Sequence, residues 1–368
     1  MQQITPTADI ASDLADHTVC VVGLGYVGLT LAVALAGVGF RVDGVEIRED
    51  VVAQLQEGRA HFFEPGLNDR LKRLLQGRRL RISRHIPADT GASVYVVTVG
   101  TPLGPAGGVR TDMITASASE IARHLRSGDL VIMRSTVRLG TTRGLVMPIL
   151  DRAGVTYDIA FCPERTVEGQ ALSELRSLPQ IVGASSGAAT VRAGRFFNAL
   201  TPTIVRVASI EVAEMVKLMD NTYRDITFAF ANEVARVCDG IGISAHEVIT
   251  AGRLGYPRTS VPLPGPVGGP CLGKDTHILA ESLHAAGIRP EIAVTARALN
   301  EGQPGDIARR LRAWIGGAEA PWPERLRIAV LGLAFKGRPV TDDLRGTMAG
   351  PLIAELRRCF PRAHLRGW

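Results

Sequence analysis

Short apolar runs alternate with stretches of helical periodicity through the first half of the chain. VCVV runs into Gly23 and is followed by a helix-compatible stretch; a second run occupies 41–47. Further runs stand in SVYVVTVGTPL, DLVIMRSTV, YDIAFCPERTVEG and LPQIVGA. Strands alternating with helices predict an α/β fold, with a parallel sheet covered on both faces. Ligands of such sheets bind beyond the carboxyl ends of the strands. The runs place Thr101, Thr136 and Glu164 at such ends.

Residues 19–40 form 22 positions without a charge, which imitates a membrane span. Five glycines argue otherwise, because three of them make a GxGxxG: Gly23, Gly25 and Gly28, with Tyr26 and Val27 between the last two. Strand, glycines, helix and second strand are followed by Glu46, 18 residues after Gly28. This is the dinucleotide-binding arrangement in its structural context. One glycine makes the tight turn, one admits the pyrophosphate and one lets helix and strand pack closely. The helix N-terminus supplies N–H donors to the phosphates. Glu46 can accept from a ribose 2′-hydroxyl and disfavours a 2′-phosphate, so NAD is expected over NADP. Arg48 is the neighbour that points the other way.

From 209 to 238 there is neither proline nor glycine, and the apolar spacing is helical. Thirty residues at ~1.5 Å each make ~45 Å of helix, which suits a domain connector or a dimer core. Lys217, Asn221 and Arg224 fall on one face, where polar groups in an apolar helix need partners. A solvated face is the alternative. Farther on, GPVGGPCLGKD places Cys271 in a glycine- and proline-rich loop beside Lys274 and Asp275, although most free cysteines are inert core residues. LRIAVLGLAFKGRPVTDDLRGTMAGPLIAELRRCF then reads as strand, glycine turn and helix, after a hinge-like GGAEAPWPE.

Composition narrows the classes. Aromatics are 5%, which disfavours single-stranded nucleic-acid binding, and no nucleic-acid-reading motif occurs. Net charge is +6, and residues 301–368 carry 12 basic and 7 acidic side chains. That segment could attract a phosphate-bearing ligand, or be a solvated arginine-rich surface. The five cysteines are widely spaced with no CxxC, against a disulfide framework or zinc site. A cytoplasmic, reducing setting fits them. The first 17 residues lack the basic start and apolar core of a signal peptide. No membrane partner and no metal are expected.

The motifs GLGYVG, FFEPGL, VGTP, STV, CPERTVEG, KLMDNTYRDITFAFANE, GPVGGPCLGKD and LGLAFKGRPVTDDLRG occur in an order that resembles the UDP-glucose/GDP-mannose dehydrogenase family of nucleotide-sugar 6-dehydrogenases. The resemblance runs from about His17 to the end. It implies an NAD-binding Rossmann domain at 1–205 and a central helical dimerisation and catalytic domain at 206–302. A linker at 303–325 and the start of a second, UDP-sugar-binding Rossmann-like domain at 326–368 would follow. It also implies a homodimer through the central helix and a UDP-sugar substrate whose C6 alcohol is oxidised to a carboxylate by two NAD+ in turn. By carry-over, Cys271 is the nucleophile that traps the intermediate aldehyde. Lys217 and Asn221 would hold the developing oxyanion. Asp275, Glu164 and Thr136 would position or activate water, and the loop glycines, Gly268 among them, would let the substrate approach. Arg224 and Arg258 would reach the sugar, the latter across the dimer; Lys336 and Arg345, with Arg338 as a further candidate, would meet the pyrophosphate.

CPERTVEG stands where glucose-type members carry SPEFLRE, and NTYRDITFAFANE looks like the N-acetylhexosamine branch. UDP-N-acetyl-D-mannosamine or a related sugar is therefore expected, with UDP-glucose as the alternative, because GPCLGKD keeps a lysine resembling the glucose branch. Glu168 is a second acid on the Glu164 loop; both could instead begin a helix, where acids suit the dipole. After AHLRGW the family continues with more strands and helices, so the last domain is expected to be incomplete, with one strand and one helix. That leaves a non-catalytic nucleotide-binding protein as a rival reading. A single-step hydroxyacid dehydrogenase, which needs no Cys271, is another.

Overall fold

In the central strands at 18–22, 94–97 and 129–133 successive side chains feed two different cores. Val19, Val21, Val94, Val96, Leu130 and Ile132 join one apolar cluster; Cys20, Val22, Tyr95, Val97, Val131 and Met133 join the other. Burial on both faces is why these strands read as continuous apolar runs rather than alternating ones. The computed structural model describes residues 17–104, 107–316 and 326–368. The opening segment and the GGAEAPWPE hinge past Gly316 lie outside the described residues. Contacts divide the chain into a unit ending at Lys217 and a unit beginning at Leu218.

The first unit contains β1 (Thr18–Val22), α1 (Tyr26–Gly37), β2 (Arg41–Val45), α2 (Glu49–Gln56), α3 (Leu67–Gln76), β3 (Leu80–Ser83), β4 (Val94–Val97), α4 (Asp112–Ala122), β5 (Asp129–Met133), α5 (Met147–Leu150), β6 (Tyr157–Phe161), α6 (Ala171–Ser177), β7 (Gln180–Ala184), α7 (Gly187–Asn198) and β8 (Ile204–Arg206). The sheet order is β3-β2-β1-β4-β5-β6-β7-β8. The first six strands are the doubly wound dinucleotide-binding order, with the topological switch between β1 and β4. The charge-free stretch 19–40 is β1 plus α1, whose 12 residues include ten buried ones. A helix apolar all round belongs in a core. Among the described residues no helix is long and apolar enough to cross a membrane.

The sheet is not parallel throughout, as the alternation predicted: β7 runs antiparallel to β6. Residues 162–179 remain at the carboxyl end of the sheet, so the chain re-enters from there. Gln180, the first residue of β7, is thereby delivered to the ligand-binding end.

A 32-residue helix, α8 (Ile210–Ile241), crosses the division. Beyond it come α9 (Ala245–Arg253), α10 (Leu272–His284), α11 (Glu291–Glu301), α12 (Gln303–Ile315), β9 (Arg327–Val330), α13 (Ala349–Cys359) and β10 (His364–Gly367). Residues 303–315, read as linker from sequence, are thus helical. Pro304 sits in the first turn, where a missing N–H costs nothing, and Ala308, Leu311 and Ile315 pack with Leu356 and Phe360. The last segment has two strands rather than one: β10 pairs in parallel with β9, Leu365 opposite Ile328. HLRG has too little alternation to be read as a strand.

Candidate cofactor and catalytic sites

The three glycines of the first turn divide their work by measurable space. Gly23 has φ +93°, and a Cβ there would stand 2.8 Å from the Val99 side chain. At Gly28 a Cβ would lie 1.8 Å from the Gly23 carbonyl oxygen and 2.5 Å from Thr98 Oγ1. Thr98 fixes that carbonyl with a 2.7 Å hydrogen bond. Gly25, the residue before α1, faces open space, with nothing within 4 Å of a Cβ. An open backbone at a helix N-terminus is what a pyrophosphate needs. Glu46, just past β2, accepts the Leu24 N–H at 3.2 Å and the Arg48 N–H at 3.1 Å. Arg48 is engaged by Asp50 at 2.6 Å, which weakens it as a receptor for a 2′-phosphate. The residues present therefore fit NAD.

Tyr26 donates to Glu64 at 2.5 Å, and Glu64 also accepts the Gly169 N–H at 2.7 Å. Burial, then the Glu64 carboxylate, pushes the Tyr26 phenol up, so it stays a donor. Tyr26 thus ties α1 to the loop after β6, and the FFEPGL motif supplies the acid. Val27 is half-buried beside it.

Thr101 donates to the Thr136 carbonyl at 2.5 Å, joining the loops after β4 and β5. Glu164 is 5% exposed and lies in a loop, not at a helix start; α6 begins later, so the helix-dipole alternative does not hold for it. Two consecutive N–H groups, of Arg165 and Thr166, reach its Oε1, both at 2.7 Å. Its Oε2 takes Arg134, at 3.0 Å from Nε and 2.5 Å from Nη2. Sequence reasoning missed Arg134. Its signal was present, a cation ending the apolar run DLVIM. Lys217 is 8% exposed, yet it makes no ion pair within 4 Å among the described residues; its charge acts on Glu164. A buried ammonium so placed is a candidate for an anionic ligand.

In the second unit Cys271 is exposed and occupies the residue before α10. A helix N-terminus favours an anion there. One turn on, Asp275 is 1% exposed. It accepts from Asn221 of α8 at 2.5 Å and from Lys274 Nζ at 3.0 Å. The loop is clamped from beneath by Arg297 of α11, which donates to the carbonyls of Val267 (3.0 Å) and Leu272 (2.8 Å) and to Asp225 of α8 (2.9 Å). Asn232 of α8 adds bonds to both backbone groups of Gly265.

Two of the loop glycines are required by packing. A Cβ on Gly268 would lie 2.3 Å from the Gly346 carbonyl oxygen, and one on Gly269 would lie 2.4 Å from the Phe335 ring. LAFKG and LRG therefore close on this loop. Arg224 does not share the buried face with Lys217 and Asn221: it is exposed, and Asp225 is buried in its stead. Arg258 is exposed and lies over Tyr256, 5.3 Å from the ring centroid. Lys336 lies 5.4 Å from the Phe335 ring centroid, and Arg345 is held by Asp343 at 2.6 Å.

Two domain models of one family match the chain: the NAD-binding domain over residues 17–201 and the central domain over 211–302. Among curated relatives, the UDP-N-acetyl-D-mannosamine dehydrogenase of Pyrococcus horikoshii is 33% identical over 346 residues, covering 92% of this chain and 80% of its own. The solved structure of a UDP-D-ManNAc dehydrogenase from that organism has a TM-score of 0.87 at 32% identity, over 95% of this chain and 82% of its own. A UDP-glucose dehydrogenase from Pyrobaculum islandicum has a TM-score of 0.84 at 28% identity, over 96% and 82%. With the glycine turn, the acid after β2 and the long helix in their places, the chain belongs to the UDP-glucose/GDP-mannose dehydrogenase family.

Proposed function

We propose that the protein oxidises the C6 hydroxyl of a UDP-sugar to the carboxylate, with UDP-N-acetyl-D-mannosamine or a closely related N-acetylhexosamine as substrate. The carrying observation is the exposed Cys271 at the head of α10, one turn from the buried Asn221–Asp275 pair. Relatives named UDP-N-acetyl-D-mannosamine dehydrogenase support the sugar. The UDP-glucose dehydrogenase likeness keeps UDP-glucose as a second reading.

The Gly23–Gly28 turn would hold the NAD+ pyrophosphate and Glu46 would accept from a ribose hydroxyl; the cofactor would supply the hydride acceptor. Thr101 and Thr136 line the same ligand-binding end of the sheet. The first oxidation removes a hydride and a proton from the alcohol and leaves an aldehyde. Cys271 Sγ adds to its carbonyl carbon, giving a thiohemiacetal. Loss of a second hydride gives a thioester, and water releases the carboxylate and the thiol. In balance, one alcohol, one water and two NAD+ give one carboxylate, two NADH and three protons. Lys217 and Asn221 donate to the C6 oxygen as it gains charge, with Asp275 orienting Asn221. Glu164, Thr136 and Asp275 order the water. Lys336 and Arg345 meet the substrate's diphosphate, and Arg224 and Arg258 contact the sugar side.

Incubating the protein with NAD+ and a limiting amount of each of several UDP-sugars is expected to yield two NADH per UDP-N-acetyl-D-mannosamine. Two NADH per UDP-glucose alone would select the second reading. No NADH with any sugar, despite NAD binding, would reject the dehydrogenase reading.

A homodimer through α8 is part of the same proposal. Met219, Tyr223, Phe230, Val237 and Ile241 are exposed along this helix, four or seven residues apart. Such spacing makes a continuous apolar seam, and a second copy of the chain offers a matching one. Light scattering is expected to give twice the 39.3 kDa chain mass, and Phe230→Glu to give the single mass. A monomeric native protein would reject the dimer.

A further inference from the structure

Residues 259–268, which lead to Cys271, form neither helix nor strand, so their path is set by side chains that reach in from elsewhere in the second unit. Arg297 of α11 holds the chain on both sides of the cysteine. Its Nη2 donates to the Val267 carbonyl, four residues before Cys271, at 3.0 Å, and its Nη1 to the Leu272 carbonyl, one residue after, at 2.8 Å. Nη1 also donates to Asp225 Oδ1 at 2.9 Å. Asp225 is fully buried and Arg297 is 2% exposed. Asn300 of α11 donates to the same Oδ1 and to the Asp225 carbonyl, both at 2.9 Å, and Thr276 of α10 donates to Oδ2 at 3.2 Å. Asn232 extends the network, donating to Asn300 Oδ1 and to the Gly265 carbonyl, both at 3.0 Å. Consecutive residues of α10, Asp275 and Thr276, thus meet successive rungs of α8, Asn221 and Asp225. The start of α10, and Cys271 with it, is held in one register on α8.

Asp225 and Arg297 are too buried to meet a substrate, so they can act on the reaction only through the loop. A buried ion pair is weak evidence for stability, because two well-packed apolar side chains often serve as well. An apolar pair cannot, however, bind two loop carbonyls and a carboxylate at once through one rigid planar fork. We propose that Arg297, braced by Asp225, is a positioning residue that aims Cys271 Sγ at the aldehyde formed in the first oxidation, so that the aldehyde is captured before it leaves. The proposal deepens the dehydrogenase reading and rests on it. Capture needs sulfur and carbonyl carbon about 3–3.5 Å apart and aligned, and a misplacement of about 1 Å can cost about 100-fold. The first hydride transfer does not use the thiol. A misaimed cysteine therefore leaves a free aldehyde: one alcohol and one NAD+ give one aldehyde, one NADH and one proton.

The test compares wild type, Arg297→Lys and the Asp225→Asn/Arg297→Met double variant. Each is given NAD+ and UDP-N-acetyl-D-mannosamine or, on the second reading, UDP-glucose, with and without semicarbazide. Arg297→Lys keeps a charge beside Asp225 but replaces the fork with a single ammonium. Its kcat should fall about 10- to 100-fold, with the KM for NAD+ unchanged. Semicarbazide should collect the escaped aldehyde as the semicarbazone, with loss of water, and lower the yield toward one NADH per sugar. Wild type should give two NADH and no semicarbazone. Mass mapping of cysteines alkylated by iodoacetamide separates aim from reactivity and from folding. A small electrophile needs no alignment, so Cys271 of Arg297→Lys should react at the wild-type rate while the buried Cys20, Cys162 and Cys238 stay protected. Native kcat without semicarbazone in Arg297→Lys would overturn the proposal. So would a loss of kcat that tracks exposure of the buried cysteines, which is a structural role, or slower alkylation of Cys271, which is an effect on the thiol itself. Should Arg297→Lys not fold, the double variant, which leaves neither charge buried alone, is read by the same measurements. If neither folds, the pair serves the fold and the proposal fails. A wild type that forms no NADH with any UDP-sugar would instead reject the dehydrogenase reading beneath it.

Discussion

Cys271→Ser is expected to lower sugar-dependent NADH formation by ~10³-fold or more while leaving the fold and NAD binding intact. The expectation separates chemistry from packing because Cys271 is exposed, so the exchange of sulfur for oxygen opens no cavity. It also sits at the residue before α10, where serine is among the preferred caps, so the helix should start as well or better. What changes is the nucleophile. A thiol ionises within a few pH units of neutrality, whereas an alcohol does not. Without a thiolate the aldehyde is not captured, and the second oxidation has no thiohemiacetal to act on. Counting NADH per sugar in a limiting-substrate assay measures both deficits, with Cys359→Ser as the matched control expected to behave as wild type. A Cys271→Ser protein that still delivers two NADH per sugar, within tenfold of the native rate, would remove the cysteine from the mechanism.

The parts of the molecule that sequence conveys are those whose physics is local. β1, the glycine turn, α1 and Glu46 lie within about thirty consecutive residues, and each leaves a periodic or steric signature. The same holds for α8, whose uninterrupted helical spacing predicts its existence, though not its partners. Arg224 shows the limit. Seven residues after Lys217 it should share that face, but the buried stripe steps by four, through Lys217, Asn221 and Asp225. Arg297 and Thr276 decide this, because both bond Asp225, and both are more than fifty residues away. Glu164 was found through its place at a strand end. Its partners were not, because Arg134 is 30 residues earlier and Gln180 reaches the network through an antiparallel strand that alternation alone cannot reveal. The glycines around Cys271 were legible as necessary, but the contacts of Gly346 and Phe335 with two of them, from a distant segment, were not.

Gly25→Ala and Gly28→Ala are expected to fail in opposite ways, and the contrast tests the cofactor site directly. At Gly28 an added Cβ would meet the Gly23 carbonyl oxygen at 1.8 Å. That oxygen cannot retreat, because Thr98 holds it and Gly23 is itself pressed against Val99. Helix α1 would have to leave β1, opening the largest apolar cluster of the unit, so a loss of about 3 kcal/mol or more is expected, at the upper end of overpacking penalties. At Gly25 the backbone has φ −63°, which alanine adopts without strain, and nothing lies within 4 Å of the new methyl. Stability should change by less than about 1 kcal/mol. The methyl would instead occupy the open space over the helix N-terminus, where the pyrophosphate must approach the backbone. An overpacking cost of about 1–3 kcal/mol paid only by the complex is a roughly 10- to 100-fold weaker affinity for NAD+. Thermal unfolding and calorimetric NAD+ titration of the two variants measure both quantities. If Gly25→Ala bound NAD+ as tightly as wild type, the cofactor would not lie over this turn. If Gly28→Ala unfolded at the native temperature, the third glycine would not be needed for close packing of helix and strand.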